Sequence, residues 1–544
     1  MGTDSDGSTN LDGRGASKAA RAGMRGRDGT ANIDDRTAVA PVSEPKPLAK
    51  LLAGVEGVAL EGDPDTLITG IVLDSRRVGP DALFAALPGA LQDGMSYLEQ
   101  ALRAGAAAVL SPAPRPAGLE GPRAWLRAVE PRKALALIAR NFHGRPDEKI
   151  TALAVTGTNG KTTVATLIAE ILRELGLPCG LIGTVAYRIG EREQPAERTT
   201  PEAPDLYRML EEMTAEGCQH VVLEASSHGL ALERVGGLSI AVAIFTNLTR
   251  DHLDFHGDID SYAAAKRRLF SERLDTDGVA IAGGDDPRAS WMLSAAPPGA
   301  RRSTFGFSEG SDYRIESCGA GFSGTDFAIR TRGGHLLEGR TPLPGRPGVL
   351  NLAAAIAAVD ALGLDPFRSV RAAARFPGVP GRFERIDRGQ DFAVVVDYAH
   401  TDDALASLLS AVREMRPRRL ITVFGCGGNR DRSKRAPMGS AAIRLSDLVF
   451  LTSDNPRGED PGQILLDAEE GILSDPTARS RYGVLPDRRE AIHAAIATAD
   501  AGDAVVIAGK GHERVQILAD RTIPFDDRTV AAEALELRAG IRRS

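Results

Sequence analysis

The sequence has few of the features that mark secreted, membrane-spanning or thiolate-metal proteins. Its 544 residues contain only four cysteines, which stand far apart with no C-x-x-C pair. Such scattered cysteines exclude a disulfide framework and argue against a thiolate zinc site. No apolar run approaches the ~18 residues of a membrane span, and no apolar signal-peptide stretch stands at the N-terminus. We therefore expect a protein of the reducing cytoplasm.

The chain also lacks a large excess of charge of either sign. It carries 66 basic and 73 acidic side chains, which give a formal net charge of −7. This balance provides no electrostatic reason to expect nucleic acid as a partner. The hydrophobic content of 42% is that of a globular protein. At roughly 100 to 200 residues per domain, the length predicts about three domains.

Apolar runs and turn residues divide the chain into four segments. Residues 1–45 are rich in Gly, Ser, Asp and Arg and show no sustained apolar period, which predicts a disordered tail. Residues 46–149, 150–378 and 379–544 each alternate strand-like apolar runs with helical stretches. The expected fold class is therefore α/β, with a small N-terminal domain, a central parallel sheet with helices on its faces and a doubly wound C-terminal sheet.

A glycine-rich turn joins a strand to a helix at the start of the central segment. The apolar run ITALAVTG leads into TNGKTT and then into a helical pattern that Gly176 closes. The strict P-loop pattern fails by one residue, because Val155 stands where its first glycine is expected. The strand, loop and helix order still favours phosphate binding over an ordinary turn. Lys161 would reach the β- and γ-phosphates, and Thr162 would offer its hydroxyl to Mg²⁺.

Two further strand-like runs in this segment end in polar residues. Polar groups at the ends of parallel strands gather at one edge of a sheet. Carboxylate oxygen suits Mg²⁺, whereas imidazole is a less usual partner for so hard a cation. Each histidine taken alone is more often a surface or hydrogen-bonded residue than a metal ligand. The candidates are Glu224, His228, His252, Asp254 and His256.

The segment SYAAAKRRLF that follows has the pattern of an exposed helix start. Asp260 or Ser261 would cap the helix. Lys266, Arg267 and Arg268 would then form a solvated basic face. On the residues alone, this is the default interpretation.

The short loop T-G-T-N-G-K-T-T resembles the phosphate loop of the Mur ligase family and its relatives, which include folylpolyglutamate synthetase. The resemblance implies ATP-dependent amide-bond formation, in which the γ-phosphate passes to a carboxylate and an amine attacks the resulting acyl phosphate. Three later segments, PGRPGVLNLAA, GRFERI and DYAHT, resemble further nucleotide contacts of the family. The implied ATP-binding residues are Gly157, Thr158, Asn159, Gly160, Lys161, Thr162, Thr163, Asn351, Arg382 and Asp397.

The same resemblance implies a group that binds two Mg²⁺ ions. T-N-x-x-x-D-H-L-D is similar to the family segment whose histidine, here His252, helps to hold the second ion, and E-A-S-S-H-G-L supplies Glu224. In the family the lysine of the following helix is carbamylated by CO₂, which makes Lys266 the candidate N6-carboxylysine. Such a lysine must be neutral part of the time, as burial near other cations would favour. The implied catalytic residues are Lys161, Glu224, His252 and Lys266, and the implied metal ligands are Thr162, Glu224, His252 and Lys266 as its carbamate.

The first substrate implied by the resemblance is UDP-MurNAc-L-Ala-D-Glu. LDSRRVGPDALFAALPGALQDG is similar to the uridine-nucleotide segment of the ligases that add the third peptide residue. RTTP and SSHGLALER resemble contacts to the muramyl dipeptide. The residues placed around this substrate are Ser75, Thr199, Thr200, Ser226 and Arg234.

The amine substrate implied by the resemblance is meso-2,6-diaminopimelate, since SDNPRGEDP contains the D-N-P-R signature of members that add it. Diaminopimelate differs from lysine by a second carboxylate, which the planar guanidinium of Arg457 could bind through two parallel hydrogen bonds. Without the resemblance, an Asp-Asn-Pro turn with an exposed arginine would be the favoured interpretation. Glu513 could pair with the distal ammonium. The implied contacts are Arg430, Asp454, Asn455, Pro456, Arg457, Gly509 and Glu513.

Three residues depart from the family pattern without removing a catalytic group. Leu232 stands where a glutamine is expected, Asp402 replaces the proline of D-Y-A-H-T-P, and Asn429 replaces an aspartate before Arg430. The function implied is ATP-dependent addition of diaminopimelate to the UDP-muramyl dipeptide in peptidoglycan synthesis. The alternatives are a lysine-adding ligase of the same family, more distantly a folylpolyglutamate synthetase, and a nucleotide-dependent scaffold that has lost the chemistry.

Overall fold

The computed structural model describes residues 44–89 and 92–543, with side chains described as far as residue 540. The predicted tail, residues 1–45, lies outside these ranges except for its last two residues. All four cysteines are free, as their spacing predicted. Within the described ranges, no helix combines the length and the apolar character needed to cross a membrane.

The first domain is built on a five-stranded sheet. The strands of the whole domain are β1 (Lys46–Pro47), β2 (Val58–Gly62), β3 (Leu67–Ile68), β4 (Ile71–Val72), β5 (Leu83–Ala85), β6 (Ala108–Ser111) and β7 (Ala124–Ala128). Its helices are α1 (Leu48–Leu51), α2 (Leu98–Arg103) and α3 (Pro131–Phe142). The sheet order is β2-β7-β6-β5-β4, in which β4 to β7 are parallel and β2 is antiparallel, while β1 and β3 form a separate pair.

The second domain carries the largest sheet, which has eleven strands. They are β8 (Thr151–Thr156), β9 (Cys179–Ile182), β10 (Ala186–Ile189), β11 (Arg192–Pro195), β12 (His220–Glu224), β13 (Ile240–Phe245), β14 (Leu274–Gly283), β15 (Arg301–Gly306), β16 (Tyr313–Gly321), β17 (Gly324–Arg330) and β18 (Leu336–Thr341). The helices are α4 (Lys161–Glu174), α5 (Ala203–Ala215), α6 (Ser227–Ala231), α7 (Leu253–His256), α8 (Ile259–Arg268), α9 (Ala289–Leu293), α10 (Gly345–Ala361) and α11 (Pro366–Ala373).

The middle of this sheet is parallel, as the sequence predicts, but both ends are antiparallel. The order is β11-β10-β9-β12-β8-β13-β14-β15-β16-β17-β18, and the seven strands from β9 to β16 run parallel. The central strands are continuous apolar runs because helices cover both faces of a parallel sheet. The outer strands form hairpins instead. One of them turns at Gly190, whose φ of 58° lies in the left-handed region that hairpin turns require.

The third domain is a doubly wound sheet of six strands. Its strands are β19 (Glu384–Arg385), β20 (Ala393–Asp397), β21 (Leu420–Phe424), β22 (Leu448–Leu451), β23 (Tyr482–Val484) and β24 (Ala504–Ala508), with a small hairpin of β25 (Val515–Ile517) and β26 (Thr522–Pro524). The helices are α12 (Asp402–Glu414), α13 (Arg435–Leu445), α14 (Pro461–Leu473), α15 (Arg488–Thr498) and α16 (Asp527–Arg543). The order is β19-β20-β24-β21-β22-β23, and all strands except β19 are parallel.

An ion pair buried in the third domain ties two helices to the end of β24. Arg488 and Asp527, both fully buried, form two hydrogen bonds of 2.7 and 2.8 Å. The same guanidinium donates to the carbonyl of Ala508 at 2.9 Å. Because Ala508 ends β24, this arginine fixes the strand end that leads into the segment AGKGHE.

We expect Asp527→Ala to lower the free energy of unfolding of the third domain by about 3 to 5 kcal/mol, because it leaves a buried guanidinium without its counter-charge. Hydrogen exchange of the β24 amides measures this loss. Glu536→Ala is the matched control, since Glu536 pairs with Arg388 at 3.2 Å with both side chains about half exposed. The control should lose less than about 1 kcal/mol. Equal losses in both variants would contradict the assigned role of the buried pair.

Candidate active site

The phosphate loop between β8 and α4 has two glycines whose backbone angles and close neighbours disfavour any side chain. Gly157 has a φ of 144°, and a Cβ there would overlap the hydroxyl of Thr246. Gly160 has a φ of 85°, and a Cβ there would strike the side-chain oxygen of Asn351. These positions therefore need glycine both for their backbone angles and for close approach. The contact also brings Asn351, from α10, onto the loop.

The loop is held by β13 and the residues that follow it. Thr158 N donates to the carbonyl of Asn247 at 2.8 Å, and Asn159 N donates to the Asn247 side chain at 3.0 Å. The hydroxyl of Thr246 donates to the carbonyl of Asn159 at 2.6 Å. The loop is thus fixed in shape by the neighbouring strand. Thr163, another candidate, lies in the first turn of α4 and is half-buried.

Two lysine ammonium groups meet at one carbonyl of the phosphate loop. Lys161 Nζ donates to the carbonyls of Gly157 and Thr158 at 3.1 and 2.9 Å. Lys266 Nζ donates to the same Gly157 carbonyl at 2.7 Å and stands 4.3 Å from the ring centroid of Tyr262. Burial, and then the neighbouring Lys161, lower the pKa of Lys266 well below its usual value. A lowered pKa favours the neutral amine, which is the form that carbamylation requires.

The expectation that Lys266 belongs to a solvated basic face is wrong. Its side chain is 1% exposed, because it lies on the side of α8 that packs against the phosphate loop. The predicted helix start is also wrong, by two or three residues. Asp258, rather than Asp260 or Ser261, caps α8, and its carboxylate accepts from Ser261 N at 2.7 Å.

Glu224 ends β12 as a fully buried carboxylate beside the loop. One of its oxygens accepts from the hydroxyls of Thr162 and Thr184, each at 3.0 Å. The other accepts from Thr184 N at 2.7 Å. A buried carboxylate and the first hydroxyl of α4 are therefore adjacent at the carboxyl edge of the sheet.

The three histidines of this region form a cluster of rings. The His228 centroid lies 4.7 Å from that of His252 and 5.5 Å from that of His256. His252 has a φ of 54°, its side chain is 44% exposed and lies 3.4 Å from the Asp251 carboxylate, and desolvation by its neighbours lowers its pKa. Asp254, the remaining candidate, is exposed.

Of the four implied metal ligands, the two that already carry side-chain oxygens fit Mg²⁺ best. Thr162 and Glu224 are hard oxygen donors, which that ion prefers. Within the described residues, no group of three or more His, Cys, Asp and Glu side chains has a metal-binding arrangement. Lys266 would contribute an oxygen ligand only after carbamylation.

The third domain contacts the phosphate loop of the second, and the three domains form one compact unit. Arg382 donates to the hydroxyl of Thr162 at 3.2 Å, and its guanidinium stacks on Tyr398. Asp397 ends β20 and accepts from the backbone of Phe383 at 2.7 Å and of Ala399 at 2.8 Å. Burial raises the pKa of Asp397. The carboxyl edges of the two sheets therefore face each other.

Two acidic residues at the start of α12 extend this contact. Asn159 Nδ2 donates to Asp403 at 3.1 Å, and Arg250 forms an ion pair of 3.3 Å with Asp402. Asp402 is the residue that departs from the family's proline. It therefore adds an ion pair between the domains that proline could not make.

Four of the five predicted dipeptide contacts are connected to the Glu224 strand end. Thr200 donates to the Glu224 carbonyl at 2.7 Å and exchanges a hydrogen bond of 3.0 Å with Ser226. Arg234 donates to the Thr200 carbonyl at 3.1 Å. The Thr199 hydroxyl lies 3.1 Å from the Thr184 hydroxyl, which donates to the Glu224 carboxylate at 3.0 Å.

Ser75, the fifth of these candidates, lies apart in the first domain. Its hydroxyl donates to the side chain of Gln100 at 2.9 Å. Ser75 begins the short helical turn Ser75–Arg77, which the preceding Asp74 caps. Nothing in the structure accounts for Leu232, which ends helix α6 in place of the expected glutamine.

The predicted amine contacts gather at the carboxyl edge of the third sheet, where β21, β22 and β24 end. Asn455 Nδ2 donates to Glu513 at 2.7 Å, and Gly509 N donates to the Asp397 carbonyl at 3.1 Å. A Cβ on Gly509, whose φ is 119°, would strike the Asp454 carboxylate. Pro456 is buried, and its carbonyl packs against Gly428.

Two guanidinium groups stand at this edge. Arg457 donates through Nη1 to the carbonyl of Gly428 at 3.0 Å, and within the described residues its Nε and Nη2 make no hydrogen bond. Arg430 donates to the Asn429 carbonyl at 3.1 Å. Burial, and then Arg430, lower the pKa of Arg457, whereas Asp454 and Glu513 raise it. Asn429, which replaces an aspartate, has a φ of 52° that asparagine tolerates.

Sequence reasoning missed several residues that shape these sites. Thr184 bonds to Glu224, Tyr262 lies against Lys266, and Lys510 lies among the predicted amine contacts. Thr246 and Asn247 were visible in the sequence as the T-N pair of the histidine motif, whereas Thr184 and Tyr262 had no motif of their own. Only the pairing of distant strands and helices brings them to the loop.

The fold and the site together define an α/β protein with a phosphate-binding loop at one sheet edge, faced by the carboxyl edge of a second sheet. Residues 155–359 match the Mur ligase middle domain, 381–511 the glutamate ligase domain of Mur ligases, and 67–143 the catalytic domain of the Mur ligase family. The chain belongs to the Mur ligase family, whose members are ligases.

Relatives and a solved structure agree with this assignment over nearly the whole chain. A protein of Solibacter usitatus named UDP-N-acetylmuramoyl-L-alanyl-D-glutamate--2,6-diaminopimelate ligase is 45% identical over 504 residues, covering 91% of this chain and 97% of the relative. A protein of Syntrophomonas wolfei with the same name is 44% identical, covering 89% and 99%. A solved structure of a ligase of that name has 33% identity and a TM-score of 0.64, covering 91% of this chain and all of the other.

Proposed function

We propose that this protein uses ATP to join meso-2,6-diaminopimelate to UDP-MurNAc-L-Ala-D-Glu, in peptidoglycan synthesis. The observation that carries the proposal is the predicted amine site at one sheet edge. There the guanidinium of Arg457 has two nitrogens without a hydrogen bond in the described part of the chain, and the carboxylate of Glu513 stands at the same edge. The names and the 44 to 45% identity of the relatives support the same reaction. The four free cysteines suit a reducing cytoplasm, where we place the reaction.

The chemistry proposed is phosphoryl transfer followed by amide formation. The γ-phosphate of ATP passes to the side-chain carboxylate of D-glutamate, and ADP leaves. The neutral amine of diaminopimelate then attacks the acyl carbon, and phosphate leaves with the electron pair of the broken bond. Lys161 would stabilise the negative charge of the moving phosphoryl group, the largest kind of contribution in such reactions. Its position at the loop carbonyls supports this role.

The remaining nucleotide contacts would fix the position of ATP. Asn351 lies against Gly160, and Arg382 reaches the Thr162 hydroxyl from the third domain. Asp397 is proposed to contact the nucleotide by resemblance, and its location at the end of β20 agrees with such a role.

We propose two Mg²⁺ ions, which would neutralise phosphate charge when bound. The hydroxyl of Thr162 and the carboxylate of Glu224 would hold the first, because both are oxygen donors and lie 3.0 Å apart. His252 and a carbamate on Lys266 would hold the second. The support is that both side chains lie beside Tyr262, whose ring centroid is 6.3 Å from that of His252 and 4.3 Å from Lys266 Nζ.

The muramyl dipeptide would lie along Thr199, Thr200, Ser226 and Arg234. Their connection to the Glu224 carbonyl and side chain would hold the accepting carboxylate near the phosphate loop. Ser75, in the first domain, would contact the uridine nucleotide. This division of the substrate between domains is consistent with a sugar nucleotide longer than either site.

One experiment separates the proposed function from its alternatives. The protein is incubated with ATP, Mg²⁺ and UDP-MurNAc-L-Ala-D-Glu, with diaminopimelate or lysine offered in turn, and the product mass is measured. A product containing diaminopimelate supports the proposal, whereas a lysine product identifies the lysine-adding ligase. Phosphate release that requires both the dipeptide substrate and the amine would exclude the nucleotide-dependent scaffold, which releases none.

Lys266→Ala is expected to reduce ligation at least about 100-fold, because the proposed carbamate ligand is lost. Added acetate should restore part of the activity by occupying the place of the carbamate. Arg267→Ala is the matched control, since Arg267 lies on the same helix and stacks on the partly exposed Trp291. The control should change ligation less than about twofold. Full activity of Lys266→Ala without acetate would remove Lys266 from the catalytic group.

A further inference from the structure

The amine site contains a fully buried lysine that the proposed reaction does not use. Lys510 follows β24 within AGKGHE and is 0% exposed. Its Nζ donates to Asn455 Oδ1 and to Glu513 Oε2, each at 3.0 Å, and lies 3.8 Å from Asp454. Its backbone carbonyl accepts from Glu513 N at 3.0 Å. One residue therefore connects the Asp454–Arg457 turn to the Glu513 turn.

Lys510 and the backbone N–H of Ile517 together determine the orientation of the Asn455 amide. An ammonium can only donate, so the atom that faces it must be the amide oxygen. That oxygen also accepts from Ile517 N at 3.0 Å. The Asn455 amino group is therefore directed at Glu513, to which it donates at 2.7 Å.

The same hydrogen bonds determine which carboxylate oxygen of Glu513 is free to bind a ligand. Oε2 accepts from both Lys510 and Asn455. Within the described residues, Oε1 accepts no hydrogen bond, and the side chain is 28% exposed. Lys510 also supplies a positive charge between two carboxylates, which without it would repel each other in a desolvated site.

We propose that Lys510 is a positioning residue for the amine substrate, which fixes Glu513 so that its free oxygen receives the ammonium of diaminopimelate. The proposal rests on the proposed function, since it refines the amine site of that reaction. Lys510 itself would touch no substrate. Its loss should therefore weaken amine binding and leave the steps before amine attack unchanged.

The test compares Lys510→Met with wild type in two assays on the full chain. The KM for diaminopimelate should rise about 10- to 100-fold, as expected when a hydrogen-bonded charged group is released. Hydroxylamine, which attacks the acyl carbon and expels phosphate, traps the acyl phosphate without using the amine site. Hydroxamate formation from ATP and the UDP-muramyl dipeptide should stay within about threefold of wild type. Lys133→Met, at an exposed lysine, is the matched control.

A double-mutant cycle asks whether Lys510 acts through Glu513. Lys510→Met added to Glu513→Gln should raise the KM for diaminopimelate no more than about threefold beyond the larger single effect. Additive effects would overturn the proposal, as would an unchanged KM in Lys510→Met. Lys510→Gln, which keeps one donor, should show a smaller rise in KM. If both Lys510 variants lose hydroxamate formation, Lys510 is a structural residue of the domain and the proposal fails.

The failure of this inference can be distinguished from the failure of the proposed function. Wild type that forms neither hydroxamate nor a diaminopimelate product contradicts the reaction itself. Wild type that forms both, with a Lys510→Met variant that binds diaminopimelate normally, contradicts only the role of Lys510.

Discussion

Lys161→Ala is expected to lower kcat/KM for ligation by about 10³-fold or more, a loss of several kcal/mol in transition-state stabilisation. The phosphoryl group carries negative charge throughout its transfer. Lys161, the first residue of α4, would place an ammonium group next to it. Lys266 is not expected to replace Lys161, because Lys266 Nζ is bonded to the Gly157 carbonyl at 2.7 Å and is proposed to become a carbamate. In the Lys161→Ala variant, Mg²⁺ ions alone would not replace the positive charge that the lysine holds at the loop. Initial rates with saturating Mg²⁺ and UDP-muramyl dipeptide measure the effect.

The control for this prediction is Lys133→Ala, which removes the same charge from an exposed position on α3 paired with Glu130. Its rate should stay within about twofold of wild type. Thermal unfolding checks that Lys161→Ala keeps its fold, since the wild-type lysine bonds only to two loop carbonyls. A Lys161→Ala enzyme that ligates within about tenfold of wild type would remove the lysine from the phosphoryl-transfer site.

The parts of the fold that the sequence predicted are those fixed by short stretches of chain. The buried run of β8, the glycines after it and the periodic helix α4 lie next to each other in sequence, so their order alone indicates a phosphate loop. Glu224 could be placed because a polar residue that ends a parallel strand falls at the same sheet edge as the loop. The antiparallel hairpins at the ends of the central sheet were not predicted, because periodicity identifies a strand but not the direction of its partner.

The parts that could not be predicted depend on contacts between distant residues. Lys266 stands among charged neighbours, and its sequence suggests an exposed face. Only the packing of α8 on a loop 109 positions away buries it. Asp402 is similar, because its ion pair with Arg250 requires two domains to meet. Lys510 sits between two glycines, and no local pattern shows that Asn455 and Glu513 surround it.

The amine preference follows from Arg457, whose Nε and Nη2 point to no protein acceptor in the described part of the chain. Wild type should prefer diaminopimelate over lysine by a factor on the order of 10³, because lysine leaves the guanidinium without a carboxylate. Arg457→Ala, or Arg457→Lys with its unforked ammonium, should remove about 2 to 5 kcal/mol of this recognition. The backbone at this position has a φ of 52°, and alanine and lysine bear much the same left-handed cost as arginine. The substitutions therefore report mainly on the side chain.

These variants are compared by kcat/KM for each amine and by the KM for ATP. In the Arg457 variants, kcat/KM for diaminopimelate should fall strongly, whereas the already low kcat/KM for lysine should hardly change. The KM for ATP should stay near that of wild type. Arg521→Ala is the control, since Arg521 is exposed and pairs only with the neighbouring exposed Asp520. If wild type uses both amines equally well, or if Arg457→Ala loses activity equally with both, the carboxylate is not what Arg457 recognises. Arg457 would then be a structural residue of the turn, held by its bonds to Gly428 and Ile517.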